Sequence, residues 1–381
     1  MVTLWQKTPY ICPPNIAGMN SLLLHYPTSS IKNIGDYIQS LAQEQFFDKI
    51  DCYADIERLD TFECEEKTNM IMSGWYMWHP ERFRLHPLIN PLFISIHISP
   101  SIADRMLTIG VIEYLKKHEP IGARDSGTQQ LLEKHGIKSY LSGCLTLTLG
   151  LSYSSTKKND NVCFVDPYFE WGGGETKGKC FQYLRGLIDA MLYRKQVAHL
   201  LDKFKGGYHH PKIEQKCPRL GKKIMAAAFY KTYSTLFEDD ILFNASYITH
   251  NVACEECNNE EEWLQYARDL LQTYSQTKLT ITSRIHCALP CLGMQTPTIF
   301  VCSAILETNS VSGRYGGLTD LMNIVYQDNG KLVPSRLNAV LNSNQKIGND
   351  TVVSNSTDWM KFRDTLIETV TSFLHPQRPI S

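Results

Sequence analysis

Short apolar stretches typical of buried strands alternate along this sequence with longer stretches whose apolar residues recur at the helical period. Residues 21–26 and 137–141 show the first pattern, and residues 37–47, 102–117 and 260–273 show the second. Strands that alternate with helices form parallel sheets with helices on both faces. The expected fold class is therefore α/β, with doubly wound, Rossmann-like sheets that bind ligands at the carboxyl ends of their strands.

The length of the chain indicates more than one domain. It has 381 residues, which is more than a single hydrophobic core usually holds. We expect two Rossmann-like domains facing each other across a cleft, the first at residues 1–150 and the second at residues 161–356. A polar linker is expected at residues 151–160, and a basic insert interrupts the second domain at residues 175–231. A terminal helix at residues 357–381 is expected to pack back on the first domain.

Residues 278–294 have the pattern of a strand, a turn and the start of a helix, and they carry Arg284 and His286. The start of a helix presents N–H groups without intrahelical acceptors, and Arg284 adds a planar guanidinium suited to phosphate or carboxylate. Pro290 removes a hydrogen bond beyond the first turn, so the helix is expected to be kinked or to start late. The stretch predicts an anion site, although an arginine and a histidine on an ordinary surface helix give the same pattern.

Two other turns lie between a predicted strand and a predicted helix. In the turn at residues 33–36, Gly35 allows a ligand to approach the backbone, and Asp36 either projects into the site or caps the helix. Arg124 and Asp125 have the same placement in a later unit. We expect Asp125 to cap its helix, while Arg124 reaches an anion or forms a salt bridge within the domain.

Charge and cysteine content narrow the classes of partner. The chain has 38 Lys and Arg against 39 Asp and Glu, a balance that argues against nucleic acid as a partner. Residues 177–231 differ, with 13 Lys and Arg against three acidic residues. Cys254 and Cys257 form a CxxC pair, but no second pair or nearby histidine completes a zinc set, so no metal is expected.

Membrane spans and secretion signals are not expected. No apolar run approaches the roughly 20 residues that a bilayer requires, and the N-terminus lacks the pattern of a signal peptide. We therefore expect the protein in the cytoplasm.

In their order along the chain, these blocks resemble the polysaccharide pyruvyl transferase family. The most specific block is Ser283-Arg284-Ile285-His286, and the resemblance covers about residues 30–302. The other blocks are the turn at residues 33–36, Gly74 after a strand, Arg124-Asp125 ahead of a helix, Ala288-Leu289-Pro290, Gly293-Met294 and Pro297.

The resemblance implies a two-domain fold of the GT-B type and a transferase that moves the pyruvyl group of phosphoenolpyruvate onto two hydroxyls of a sugar, forming a cyclic ketal. It implies a role in capsular, exopolysaccharide or cell-wall polysaccharide biosynthesis, with phosphoenolpyruvate as co-substrate and no further cofactor. Arginines and a helix start suit the phosphate and carboxylate of this donor.

The resemblance also implies roles for individual residues. The second domain would bind the donor and the first the acceptor, and proton transfer is needed at the methylene carbon and at the attacking hydroxyl. The implied residues are Ser283, Arg284, Ile285 and Arg124 for the donor, Asn33, Gly35 and Trp75 for the acceptor, and His286 and Asp36 for proton transfer, with acid and base left open between the last two.

Polysaccharide repeat units are commonly built on a lipid diphosphate at the cytoplasmic face of the membrane. The basic stretch at residues 177–231 is a candidate for peripheral contact with that surface or with the acceptor diphosphate. An exposed helical pair whose lysines only maintain solubility gives the same pattern. The apolar residues interleaved with the basic ones are Phe181, Tyr183, Leu184, Leu187, Ile188, Leu192, Tyr193 and Phe204.

Two other functions are compatible with this architecture. A GT-B-type glycosyltransferase would use the same arginine and helix start to hold the diphosphate of a nucleotide sugar. A saccharide-binding protein would retain the fold without catalysis. The ligand that raises the melting temperature distinguishes the three, because a ligand stabilises the state that it binds.

Overall fold

The computed structural model describes most of the chain. Residues 175–177 and 208–217 of the basic insert and residues 377–381 of the predicted terminal helix lie outside the described residues. The description covers residues 11–12, 19–26, 31–76, 78–172, 178–207, 218–303 and 315–376, without the side chains of residues 11, 12, 31 and 76.

The described chain contains short strands and α-helices. The strands are β1 (Ile11–Cys12), β2 (Asn20–His25), β3 (Ile31–Asn33), β4 (Cys52–Asp55), β5 (Glu63–Cys64), β6 (Thr68–Met72), β7 (Trp75–Tyr76), β8 (Ile89–Phe93), β9 (His97–Ile98), β10 (Ile121–Ala123), β11 (Ser139–Leu141), β12 (Val162–Val165), β13 (Ser246–Ile248), β14 (Asn251–Ala253), β15 (Leu279–Thr282), β16 (Thr298–Ser303), β17 (Asn323–Asp328) and β18 (Lys331–Arg336). The helices are α1 (Ile34–Glu44), α2 (Ala103–Met106), α3 (Ile109–Lys116), α4 (Ser126–Lys134), α5 (Gly150–Tyr153), α6 (Lys179–Leu192), α7 (Arg194–Leu200), α8 (Pro218–Tyr233), α9 (Asp239–Asn244), α10 (Glu260–Gln276), α11 (Ile285–Gly293) and α12 (Trp359–Leu374).

Two largely parallel sheets form the framework, which agrees with the predicted α/β class. In the first half of the chain β4, β2, β6 and β8 lie side by side. Ile96, just after β8, bridges to Ala123 and so connects this sheet to the β10–β11 ladder. In the second half the order is β13, β12, β15, β16, β17 and β18, in which only β18 runs antiparallel. The sequence prediction did not include the β17–β18 hairpin, although the turn residues Asn329 and Gly330, with φ of 47° and 75°, are a hairpin signal.

The alternation of side chains along each strand divides the described core into three apolar clusters. Leu22 of β2 packs into an outer cluster of the first half, and its neighbour Leu23 packs into a central cluster. Phe300 of β16 faces the same central cluster, while Val301 faces an outer cluster of the second half. Residues of α1, α10, α11 and α12 fill the central cluster. The two halves therefore share one apolar core.

A partly buried polar contact joins the halves beside this core. Lys32 Nζ lies 3.4 Å from Glu260 Oε1, and the hydroxyl of Tyr37 donates to Glu260 Oε2 at 2.8 Å. The Lys32 ammonium lies 4.7 Å from the ring centre of Trp263, which stacks on Tyr37. Although burial alone would raise it, the hydrogen bond and charge of His25 and the charge of Lys32 hold the pKa of Glu260 below its usual value. Removing the carboxylate of Glu260 would leave the buried ammonium of Lys32 without this partner, which is costly for a buried charge.

Further contacts between the halves involve the backbone and the terminal helix. β3 pairs antiparallel with β14, which places the turn at residues 33–36 against the second half. α12 packs on the 3-10 turn Leu145–Thr148 and on α11. The terminal helix thus touches both the first half and α11.

Some predicted helix boundaries differ from the structure. α1 begins at Ile34, three residues before the predicted start, and its N-cap is Asn33, whose Oδ1 accepts the backbone N–H of Gly35 at 3.2 Å. Asp36 therefore lies in the first turn and is not the cap. The predicted helix at residues 102–117 is divided into α2 and α3. The predicted cap of α4 is confirmed, because Asp125 Oδ1 accepts the backbone N–H of Thr128 at 2.9 Å.

Two glycines allow α11 to touch the chain that connects the halves. A Cβ at Gly293, the last residue of α11, would lie 2.3 Å from the carbonyl oxygen of Leu147. A Cβ at Gly150 would lie 2.0 Å from the carbonyl oxygen of Gly293. Both neighbours are backbone atoms, which cannot move aside by changing a rotamer. Only glycine fits at these two positions without a shift of the backbone.

We expect Gly293→Ala to lower the free energy of unfolding by about 1–3 kcal/mol, because an added methyl group in a filled space forces the backbone apart. Gly110→Ala is the matched control, since a Cβ at Gly110 in α3 meets nothing within 4 Å. That change should be neutral or stabilising by about 0.4–1 kcal/mol. Urea unfolding measures both, and equal stabilities of the two variants would contradict the close approach at Gly293.

Candidate functional site

The start of α11 departs from a regular helix. Arg284 is its N-cap residue, and the Arg284 backbone N–H donates to Thr282 Oγ1 at 3.0 Å. His286, in the first turn, has the non-helical angles φ −81° and ψ 15°. Pro290 lies four residues later, and a proline lacks the N–H that would bond the carbonyl four residues before it and crowds that carbonyl with its ring. The predicted kink is confirmed and lies at His286, where it sets the direction of the imidazole.

Asp166 follows β12 and holds Arg284 in place. Its Oδ2 accepts the Nε–H of Arg284 at 2.7 Å and the backbone N–H of His250 at 2.9 Å. Asp166 is fully buried and has a φ of 41°, in the left-handed region that aspartate tolerates better than most residues. A charge-assisted hydrogen bond to a buried carboxylate fixes the plane of the Arg284 guanidinium.

His250 forms another wall of the site and is fully buried. Its Nε2 lies 2.9 Å from the hydroxyl oxygen of Tyr274. Its Nδ1 has no hydrogen-bond partner within the described part of the chain. Burial, with a smaller contribution from the charge of Arg284, lowers the pKa of His250 to about 3, although the charge of Asp166 opposes the shift. The ring is therefore neutral near pH 7, with one nitrogen as donor and the other as acceptor.

Gly35 allows the start of α1 to approach both histidines. A Cβ at this position would lie 3.1 Å from the Cβ of His286 and 3.2 Å from Nδ1 of His250. The backbone N–H of Ile34 donates to the carbonyl oxygen of His250 at 2.9 Å. The first turn of α1 therefore rests against the second half at the same place as the start of α11.

These contacts surround a pocket of about 280 Å³ between the starts of α1 and α11. This volume includes space that is open to solvent, so the pocket itself is small and partly open. The lining residues are Asn33, His250, Ser283, Arg284, Ile285, His286 and Tyr315. The predicted site residues among them are Asn33, Ser283, Arg284, Ile285 and His286.

Hydroxyl groups beside Arg284 bind the backbone of neighbouring segments. Ser283 Oγ accepts the backbone N–H of Tyr168 at 2.7 Å, and the Thr282 hydroxyl donates to the carbonyl oxygen of Val165 at 2.9 Å. Ser283 thus ties the loop after Asp166 to the start of α11. The Ser283 hydroxyl therefore holds the loop in place and also forms a polar part of the pocket wall.

Asp36 lies beside the pocket but is not among its lining residues. Its Oδ1 lies 3.3 Å from both Asn33 Nδ2 and Gln39 Nε2, and the residue is half-buried. A carboxylate in the first turn is favourable because it faces the positive end of the helix dipole. Asp36 directly follows Gly35, and so it is one residue from the contact with His286.

Arg124 and Trp75 belong to a second polar cluster, formed with His97 and Asp125, that does not line the pocket. Nδ1 of His97 lies 2.6 Å and Nε of Arg124 lies 3.4 Å from Oδ2 of Asp125. The rings of Trp75 and His97 have their centres 6.2 Å apart. Although burial alone would raise it, the hydrogen bond of His97 and the charge of Arg124 hold the pKa of Asp125 below its usual value.

The second polar cluster is connected to the pocket through the chain that follows Asp125. The backbone N–H of Ser126 donates to the carbonyl oxygen of Gly316 at 3.0 Å, and the neighbouring Tyr315 lines the pocket. Arg124 itself is fully buried. It would have to move to touch a ligand in the pocket.

Asp166, His250 and Tyr315 are site residues that the sequence prediction did not include. Asp166 and His250 both follow strands of the second sheet, and polar residues at the carboxyl ends of parallel strands are a usable signal. Tyr315 gives no such signal. Its ring centre lies 5.7 Å from that of Phe300 in β16, a tertiary contact that brings it to the pocket.

Metal ligation has little basis in the described residues. Among them, no three His, Cys, Asp or Glu side chains are grouped so that they could hold an ion. Cys254 and Cys257 of the CxxC pair are free thiols.

A family model for polysaccharide pyruvyl transferase matches residues 33–302, which are 270 of the 381 residues. The chain belongs to the polysaccharide pyruvyl transferase family. The match begins at the N-cap of α1 and ends in β16, so it includes all the pocket residues except Tyr315. Searches of curated proteins and of solved structures gave no match. Membership in the pyruvyl transferase family identifies the chain as a transferase of polysaccharide biosynthesis that acts on a polysaccharide acceptor.

The buried His250 predicts a pH dependence of stability. Its pKa is about 3 in the folded transferase and about 6.5 in the unfolded chain. Between these values the unfolded state binds the additional proton, so stability falls as the pH drops below about 6.5, by up to about 1.4 kcal/mol per pH unit. We expect the His250→Gln variant, which keeps a polar group near Tyr274, to lack the part of the pH dependence of stability that comes from His250.

Urea unfolding at about pH 7.5 and about pH 5 measures the effect as the change in stability between the two conditions. Titrating groups other than His250 contribute equally to both proteins and cancel in the comparison. The prediction fails if wild type and variant lose the same stability over that interval.

Proposed function

We propose that the protein transfers the pyruvyl group of phosphoenolpyruvate to two hydroxyls of a saccharide and so forms a pyruvate ketal. The observation that carries this proposal is the pocket between the starts of α1 and α11. It unites an arginine, a helix start and two histidines around one small, partly open pocket. Family membership supports a pyruvyl group as the unit transferred and a polysaccharide as the acceptor.

Arg284 and the start of α11 form the proposed donor site. The first N–H groups of a helix have no intrahelical acceptors and attract anions such as phosphate. The guanidinium of Arg284, oriented by Asp166, suits a two-point contact with phosphate or carboxylate. The carboxylate of Asp166 compensates the positive charge of Arg284. The N–H groups at the start of α11 therefore supply further attraction for the anionic donor. Ile285, which is buried, adds an apolar wall, and Ser283 adds the polar edge.

Ketal formation consumes phosphoenolpyruvate and two hydroxyl groups and releases inorganic phosphate. The methylene carbon gains a proton and becomes a methyl group, and the two hydroxyl oxygens bond to the central carbon as they lose their protons. The second of these protons leaves with the phosphate. His286, which lines the pocket, and Asp36, next to Gly35, are the proposed proton carriers. Either assignment of acid and base satisfies this balance.

We propose that the two halves form a GT-B-type arrangement, with the acceptor on the side of the first half and the donor on the side of the second. The two parallel sheets and the pocket between the halves support it. Asn33 and Gly35 border the pocket from the acceptor side. Trp75 and Arg124, in the second polar cluster, would act on it through the segment that begins at Tyr315.

The proposed acceptor is a saccharide linked to a lipid diphosphate, as in the assembly of capsular, exopolysaccharide or cell-wall polymers. The protein would then work in the cytoplasm at the inner face of the membrane, with the basic insert as its contact region. In the described parts of the chain, no helix combines the length and the hydrophobicity that crossing a bilayer demands.

Mass spectrometry of saccharide acceptors incubated with phosphoenolpyruvate tests the reaction. We expect an acceptor that gains the mass of pyruvate less water, together with one released phosphate. This turnover should persist in excess EDTA, because the proposed donor site binds anions through Arg284 and helix N–H groups. Loss of turnover with EDTA and recovery with a divalent ion would contradict that donor site. Turnover of a nucleotide sugar in place of phosphoenolpyruvate would identify a glycosyltransferase instead.

Two substitutions test the pocket. Arg284→Lys should lower kcat/KM for phosphoenolpyruvate by about 100-fold or more, because lysine keeps the charge but loses the planar fork. His286→Ala should lower kcat by about 100-fold to 10,000-fold with little change in donor affinity, because a proton carrier acts in the transition state. Steady-state kinetics measure both.

Arg105→Lys is the matched control, since Arg105 is exposed and pairs with Glu81 at the surface. It should keep wild-type kinetics. Rates near wild type for both Arg284→Lys and His286→Ala would show that the start of α11 is structural and that the active site lies elsewhere.

A further inference from the structure

Helix α6 exposes large apolar side chains to solvent along one face. Of the thirteen large apolar side chains that are exposed in the described chain, six lie on this helix, with exposures of 38% to 75%. They recur at helical spacing and therefore form one continuous stripe. We call this stripe the α6 face, and its members are Phe181, Leu184, Leu187, Ile188, Met191 and Leu192.

The opposite side of α6 is anchored to the fold. Asp189 is buried and accepts Lys231 Nζ of α8 at 2.9 Å and 3.0 Å. A Cβ at Gly186 would lie 2.7 Å from a methyl carbon of Ile224, so the two helices are in close contact there. Turning the α6 face inward would break this ion pair and this packing. The apolar stripe is therefore held outward by the tertiary structure.

Some of the apolar residues that are interleaved with lysines and arginines in the sequence are exposed on α6, and others pack against the fold. Tyr183 packs on Trp171, Tyr193 packs on Tyr230, and Phe204 is buried in the outer core of the second half. These three side chains pack against other aromatic rings or the core and are not among the exposed residues of the α6 face. The α6 face also contains Met191, which is not among the apolar residues named in the sequence analysis.

The surface around the α6 face is basic. Residues 178–207 and 218–233 contain ten Lys and Arg and only two Asp. One of the two, Asp189, is buried in its pair with Lys231. Along this fully described helix no acidic side chain is exposed. The exposed basic residues on or next to α6 are Lys179, Arg185, Arg194 and Lys195.

We propose that the α6 face inserts into the headgroup region of an anionic bilayer, with the neighbouring basic residues on the lipid phosphates. A helix with a bulky apolar stripe and a basic border is the type that lies in such a surface. A second copy of the chain is a less suitable occupant, because a two-fold contact would bring two basic borders together. The inference rests on the proposed function in that it identifies the element by which the transferase reaches a lipid-linked acceptor.

The α6 face begins close in sequence to the residues that hold the pocket. The chain leaves Asp166, which holds Arg284, and reaches α6 thirteen residues later at Lys179. The backbone N–H of Tyr168 in this segment donates to Ser283 Oγ at 2.7 Å. A bilayer bound to α6 would therefore keep the pocket at a limited distance from the lipid surface.

Co-sedimentation of the full chain with vesicles tests the proposal. We expect strong binding to vesicles of mixed phosphatidylglycerol and phosphatidylcholine, weaker binding to pure phosphatidylcholine, and partial loss in high salt, because salt screens only the charged part of the contact. The combined change Leu184→Ser, Ile188→Ser and Met191→Ser should reduce partitioning by about tenfold or more, since it removes apolar area from an exposed surface. These positions are exposed, so the fold should be unaffected.

Matched control variants distinguish insertion of the α6 face from non-specific hydrophobic or electrostatic binding to vesicles. Val340→Ser with Val352→Ser changes two other exposed apolar residues and should bind vesicles like wild type. Arg194→Gln with Lys195→Gln should weaken binding to the anionic vesicles, whereas Lys116→Gln with Lys117→Gln, also exposed, should not.

The inference is overturned if the triple serine variant binds vesicles as wild type does, or if wild type binds neither kind of vesicle. It is also overturned if light scattering without vesicles shows a dimer that the triple variant loses, because a second copy would then cover the α6 face. Ketal formation is measured separately on a lipid-free saccharide. Its failure would contradict the proposed donor reaction and leave the vesicle result standing, and the triple variant should react there like wild type.

Discussion

The rest of the pocket depends on the buried carboxylate of Asp166. A single oxygen accepts the Nε–H of Arg284 and the backbone N–H of His250, so one group fixes segments that follow three different strands of the second sheet. A buried ion pair of this kind is worth most as a constraint, because losing one partner leaves the other charge uncompensated. Its surroundings also explain why His250 stays neutral, since burial and the charge of Arg284 both oppose protonation. The site thus combines one oriented cation with one neutral imidazole.

Close approach between the halves follows from glycine at a few positions. Gly35 allows the start of α1 to rest against His286, and Gly293 with Gly150 allows the end of α11 to touch the chain between the halves. Both ends of α11 are therefore held by first-half or connecting residues, and the apolar core on either side is continuous. The pocket is small because packing, and not an open space, sets the distance between the halves.

Helix α6 of the basic insert belongs to the same half of the molecule as Arg284 and His286. Asp189 and Gly186 turn one side of α6 toward α8, which leaves the apolar stripe outside. An enzyme that modifies a lipid-linked saccharide must meet its acceptor at a surface, where apolar contact and positive charge act together. The proposed donor site and the proposed surface contact would then lie in the same half, with α6 beginning thirteen residues after Asp166.

Features that depend on a few neighbouring residues could be predicted from the sequence. These include the α/β alternation, the cap at Asp125 and the kink caused by Pro290, because periodicity, capping and proline sterics act within about one helical turn. Features that depend on which strands and helices become neighbours in the fold could not be predicted from the sequence. Arg124 has the same local pattern as Arg284, yet it is buried beside Asp125, whereas Tyr315 has no sequence signal and lies at the pocket. The sequence also could not show that the apolar stripe of α6 faces solvent. The residues that anchor the opposite side of α6 come from α8, more than thirty positions further along the chain.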